Sequence, residues 1–163
     1  MTSLGGAGAF RASPSMARLL KDIGPAGGTR LDAGLQRYTA QGLELRAGGE
    51  LVSIAASIGA HADRGQFCDI TALEAFVNKV HLDDWLSDEW TGSVGDLLTQ
   101  AIALAAEVGA RAQAVQANIE VAISCEPEKK DVVFRFYGLR HSEQPWLDDP
   151  STLQEAVLLL RYL

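Results

Sequence analysis

The change from a helical to a strand-like hydrophobic period in the second half of the chain limits the fold more than any other sequence feature. Over residues 93–114, apolar side chains recur every three or four residues, as on one face of an amphipathic helix. Over 114–125 every second residue is apolar, and a similar run returns at 132–140, as in an antiparallel pair of strands. Because helix and strands each need a partner to cover their apolar face, the sequence predicts an α+β domain.

A second helix and a second hairpin are predicted earlier in the chain. Residues 71–80 carry apolar side chains at helical spacing, and Thr71 and Glu74 match a capping box at the start of this helix. Residues 43–58 alternate in polarity about Gly48-Gly49, which suits a two-residue hairpin turn. The predicted sheet is mainly antiparallel, and its hairpins and the helices packed on it lie at about 43–58, 114–140, 71–80 and 93–113.

The two ends of the chain are less sharply defined by their sequence. Residues 1–13 are rich in Gly, Ala and Ser and are predicted to be loosely ordered, so a single domain is expected over 14–163. The tail at 151–163 fits two structures. Ser151 and Gln154 suit the start of a helix, whereas the apolar run 156–160 suits a central strand.

The net charge of −7 is concentrated in two short segments. The first acidic segment, residues 80–90, and the second acidic segment, residues 141–149, together hold seven of the 21 acids and no Lys or Arg. The other 14 acids balance the 14 bases, and all three tryptophans lie in these two segments. With a pI of about 4.9 and scattered bases, the chain lacks the basic surface of a nucleic-acid-binding protein.

Several further classes of function are not expected from the sequence. No run of 18 apolar residues exists that could span a membrane, and the N-terminus does not resemble a secretory signal, so we expect a cytoplasmic protein. The phosphate-binding pattern GxxxxGK[ST], the nucleophile pattern GxSxG and the zinc-protease pattern HExxH are absent. We therefore expect no cofactor or catalytic metal and favour a protein that is not an enzyme.

The acidic segments suggest a surface for a basic protein partner. Tryptophan is enriched among residues that dominate binding energy, and acids around it attract a basic partner. A small acidic chain without catalytic motifs is also what is expected of a bacterial immunity protein or antitoxin that neutralises a basic nuclease-like toxin. The oligomeric state is not predicted. The candidate partner-binding residues are Asp83, Asp84, Trp85, Asp88, Glu89, Trp90, Trp146, Asp148 and Asp149.

The alternative is a small enzyme, or a ligand- or glycan-binding protein, whose cleft contains both acidic segments. Imidazole and carboxylate groups suit zinc or manganese, and paired carboxylates beside a tryptophan suit glycoside chemistry. A third interpretation is a structural subunit that oligomerises through the C-terminal run AVLLLRYL. The cleft requires the two segments to meet, and its candidate residues are His81, Asp83, Asp84, His141, Glu143, Arg135 and Arg140.

Overall fold

The α+β prediction is confirmed by the computed structural model, which describes residues 6–23, 28–57 and 62–163. The strands are β1 (Ala9–Ala12), β2 (Leu43–Leu45), β3 (Leu51–Ser53), β4 (Val80–His81), β5 (Ile119–Glu126), β6 (Asp131–Gly138) and β7 (Ala156–Tyr162). The α-helices are α1 (Pro14–Asp22), α2 (Ala33–Ala40), α3 (Ile54–Ser57), α4 (Ile70–Val77) and α5 (Val94–Ala114). No helix within these ranges is long and apolar enough to cross a lipid bilayer.

A five-stranded antiparallel sheet in the order β1-β7-β5-β6-β4 forms the centre of the protein. Residues 156–162 of the tail form strand β7, which pairs with β1 on one side and with β5 on the other. Of the two structures predicted for the tail, the central strand is therefore the observed one. Residues 9–12, inside the segment for which the sequence predicts loose order, form the edge strand β1, while residues 1–5 lie outside the described ranges.

Helix α5 packs on one face of this sheet, as predicted. Its capping box is present, since the Ser93 hydroxyl accepts from the Asp96 amide and the Asp96 carboxylate accepts from the Ser93 amide. Gly109 lets the helix approach β7 closely, because a Cβ at this position would lie 2.3 Å from the ring of Tyr162. The strand pattern predicted from residue 114 begins only at Ile119, because the helix continues to Ala114.

The predicted hairpin at 43–58 forms a separate two-stranded sheet of β2 and β3. Its loop has five residues, 46–50, instead of the predicted two, and Gly49 supplies the positive φ of 88°. The alternation does not continue as a strand through residue 58, because Ile54–Ser57 form α3. The β-hairpin prediction is therefore correct for the pairing and wrong for the turn and the last residues.

Helix α4 attaches this small sheet to the main sheet through two buried polar side chains. Glu74 accepts from the amides of Leu51, at 2.5 Å, and Gly138, at 2.6 Å. The side-chain oxygen of Asn78 accepts from the Ser53 amide at 2.9 Å. The predicted capping box of Thr71 and Glu74 is wrong, because Glu74 is buried and Asp69 caps α4.

Candidate functional site

Apolar side chains fix the first acidic segment against the main hydrophobic core. Leu82 is fully buried and begins a 3₁₀ helix over Leu82–Trp85, directly after β4. The ring of Trp85 meets Tyr38 edge to face, with 5.0 Å between ring centroids. Trp90 also packs against this core. Both indole rings therefore hold the segment in place, and its polar side chains project outward.

Asp32, at the start of α2, binds the middle of the same segment. Its carboxylate accepts from the Ser87 hydroxyl at 2.7 Å, from the Ser87 amide at 2.9 Å and from the Gly34 amide at 2.8 Å. Desolvation acts to raise the pKa of Asp32, but these hydrogen bonds outweigh it and hold the pKa below its ordinary value. A Cβ at Gly34 would lie 1.7 Å from the Trp85 carbonyl oxygen, so only glycine allows this approach.

The four carboxylates of the first acidic segment, on Asp83, Asp84, Asp88 and Glu89, are exposed. Within the described residues, none of the four forms an ion pair with Lys or Arg. Their negative charge is therefore not compensated by salt bridges inside the fold, and it remains available to an external cation.

A cleft of about 660 Å³ opens beside Trp90, where the segment meets the first turns of α5. Its lining includes the acidic residues Asp32, Glu89 and Asp96 and contains no Lys or Arg. The cleft thus combines an indole ring with carboxylates, a lining that suits the long cationic side chain of Lys or Arg.

The second acidic segment lies over the opposite face of the sheet. Trp146 is 41% exposed and its ring lies over the guanidinium of Arg135, 4.9 Å from the carbon to the ring centroid. Arg135 and Tyr137 alternate along β6 with the core residues Phe134 and Phe136, so they point away from α5. Trp85 and Trp90 pack against the core on the α5 side of the sheet, whereas Trp146 lies on the opposite face.

Two of the three acids of the second segment, Glu143 and Asp149, use their carboxylates inside the fold. The carboxylate of Glu143 accepts from the Thr71 hydroxyl at 2.6 Å and from the Thr71 amide at 2.8 Å. The Asp149 carboxylate caps the 3₁₀ helix Pro150–Thr152 through the Ser151 amide and hydroxyl. Asp148 is exposed, and its backbone carbonyl accepts from Arg11.

The residues of the alternative cleft are not all brought together in one pocket. His141, Glu143 and Arg140 line a cavity of about 290 Å³ whose lining includes neither His81 nor a tryptophan. Arg140 is held by the buried Glu74, at 2.6 and 2.9 Å, and Arg135 is covered by Trp146. Arg161, which also lines the cavity, is bound to the buried Glu120 at 2.5 Å, so both arginines of the lining are already paired.

His81 instead lies beside two aspartates. Its Nδ1 is 3.1 Å from an Asp131 carboxylate oxygen, and Asp83 completes a group whose ligand atoms lie within 4.8 Å of one another. His141 and Glu143, which the alternative interpretation placed in the same cleft as His81, do not belong to this group of described residues. Sequence reasoning missed Asp131, because only the pairing of β4 with β6 places it here. It also missed Asp32, although Asp is among the residue types preferred at the start of a helix.

A family model matches residues 14–160, and its description is the uncharacterized protein PM0498 family. Comparisons with curated proteins and with solved structures gave no significant match. Because the matched range covers most of the chain, the chain belongs to the uncharacterized protein PM0498 family.

Proposed function

We propose that this chain is a non-enzymatic module that binds a basic protein through the first acidic segment. The observation that carries the proposal is the set of four exposed carboxylates, Asp83, Asp84, Asp88 and Glu89, without a Lys or Arg ion pair in the described structure. Uncompensated charge of one sign attracts an oppositely charged partner and accelerates its association.

The anchoring of the segment supports a binding role. Trp85, Trp90 and the Asp32–Ser87 hydrogen bonds fix its backbone, so little conformational entropy is lost when a partner docks. The cleft beside Trp90 supplies a place for one Lys or Arg side chain of the partner, with Glu89 at its wall. Steering by the exposed acids and insertion of one cationic side chain are the two steps of the proposed recognition.

The partner class we favour is a basic nuclease-like toxin, which makes the chain an immunity protein or antitoxin acting in the cytoplasm. A nuclease needs a cationic groove for the phosphate backbone, and an acidic protein that occupies this groove excludes the nucleic acid. Net charge, size and the absence of catalytic motifs support this class. Trp146, which lies over Arg135, and Asp148 and Asp149 belong to the second acidic segment and are outside the proposed surface.

The test compares two variants that have the same net charge. The first carries Asp83→Asn, Asp84→Asn, Asp88→Asn and Glu89→Gln. The control neutralises four scattered exposed acids through Asp22→Asn, Glu44→Gln, Glu128→Gln and Glu155→Gln. Affinity capture from the native host with the wild-type chain identifies the partner, and stopped-flow mixing with the purified partner measures the association rate at several salt concentrations.

We expect a captured protein of basic pI whose association with the first variant is at least about tenfold slower at low salt, with a weaker salt dependence. The control variant should keep most of the wild-type rate. Equal slowing in both variants would show that the net charge of the protein, and not the location of the acids in the first acidic segment, determines the association rate. Capture of an acidic partner, or unchanged association in the first variant, would overturn the proposal.

A further inference from the structure

We propose that His81, Asp83 and Asp131 form a binding site for a first-row divalent cation, with zinc as the best match. Each residue offers one ligand atom, and these atoms lie within 4.8 Å of one another. Ligand atoms around a zinc ion at about 2.0–2.2 Å lie about 3–4 Å apart, so small side-chain rotations suffice to close the site.

The fold, and not local sequence, brings these residues together. His81 pairs with Val133 across β4 and β6, and Asp131 lies two residues earlier on β6, so it points to the same face. His81 Nδ1 already lies 3.1 Å from an Asp131 carboxylate oxygen. Asp83 follows on the 3₁₀ helix, and the fully buried Leu82 between His81 and Asp83 fixes the backbone of both.

The donor set identifies the class of ion. One imidazole nitrogen and two carboxylate oxygens match zinc, and also manganese, better than they match calcium, which prefers a shell of oxygen atoms. Within the described residues, neither Asp83 nor Asp131 has an ion pair with Lys or Arg, so no internal cation occupies the position. Three protein ligands leave at least one coordination position for water or for a side chain of a partner.

The experiment titrates the untagged full chain with zinc by calorimetry and with cobalt by visible absorption. We expect one ion per chain and cobalt bands typical of a site with nitrogen and oxygen ligands. His81→Ala and Asp131→Asn should each weaken binding at least about tenfold, since loss of even an outer-shell partner costs this much. The controls His141→Gln and Glu128→Gln change an exposed histidine and an exposed acid outside the group and should bind like wild type.

Two outcomes overturn the proposal. One is the absence of zinc or cobalt binding at millimolar metal, and the other is equal affinity in His81→Ala and wild type, which would indicate unspecific association with acids. Thermal melts without metal check that each variant is folded, and Asp83→Asn provides a third ligand variant if one fails. His81→Ala retains all four exposed carboxylates of the first acidic segment, so partner association can be tested separately from metal binding.

Discussion

The two acidic segments have similar residue types but use them in opposite ways. In the first, the tryptophans Trp85 and Trp90 pack on the core while the carboxylates stay exposed. In the second, Glu143 and Asp149 satisfy backbone amides while Trp146 is exposed over Arg135. A count of acids along the sequence therefore overstates how many carboxylates remain free of hydrogen bonds within the fold.

The tryptophans should show the largest difference between the segments. Trp90→Ala removes a ring packed against the main core and is expected to lower the free energy of unfolding by about 2–4 kcal/mol. Trp146→Ala removes a ring that is 41% exposed, and we expect a loss of about 1 kcal/mol or less. Urea denaturation followed by circular dichroism measures both values. Equal losses of stability in the two variants would contradict the proposed difference between the packed Trp90 and the exposed Trp146.

Replacing carboxylates should have the opposite effect on stability, with the larger loss in the second acidic segment. Glu143→Ala leaves the amide and hydroxyl of Thr71 without their acceptor and is expected to cost about 1–3 kcal/mol of stability. Asp88→Ala removes an exposed carboxylate and should change stability by no more than about 0.5 kcal/mol. The same denaturation experiment applies. A loss for Asp88→Ala as large as that for Glu143→Ala would show that the first segment also uses its charge internally.

The smallest expected effect is on the pH dependence of stability. Desolvation acts to raise the pKa of Glu143, but hydrogen bonds from Thr71 and Ile70 and the charge of Arg140 outweigh it, so its pKa in the folded state is lowered. As the pH falls, the unfolded chain therefore binds a proton at Glu143 before the folded chain does. The contribution of the Glu143 carboxylate to stability is present in full above about pH 4.3. It is lost as the pH falls through the lowered pKa.

Denaturation midpoints between pH 6 and pH 3 test this effect. Glu143→Gln should lose less stability on acidification than wild type, because the titrating group is gone. Thr71→Val keeps the carboxyl but removes one donor, so it should lie between the two. Curves of identical slope for all three proteins would show that Glu143 does not contribute to acid sensitivity.

Sequence patterns predicted correctly a helix whose cap and apolar face lie within one short stretch of the chain. Helix α5 has its capping box at Ser93 and Asp96 and its apolar face in the sequence, and both are present in the structure. The same reasoning failed for Glu74, which matches a capping box but binds Arg140 and two amides from distant elements. A buried carboxylate with distant partners leaves no signal in its own neighbourhood.

Contacts between side chains on neighbouring strands of the sheet could not be predicted from the sequence either. The alternation of β5 suggests a polar outer face, but Glu120 is fully buried there and binds Tyr137 at 2.6 Å and Arg161 at 2.5 Å. Burial and the nearby Glu120 charge raise the pKa of Tyr137 far above its ordinary value. The position of Asp131 beside His81 likewise depends on strand register, which requires the fold to be known.

The placement of β7 between β1 and β5 has a consequence for aggregation. β1 pairs with the apolar strand residues Leu158, Leu159 and Leu160 and covers hydrogen-bonding groups that would otherwise form an open sheet edge. Such an edge of apolar residues is a template for pairing with other chains. The short strand β1 therefore protects this edge, and any event that detaches it would turn the most apolar strand of the protein into a starting point for self-association.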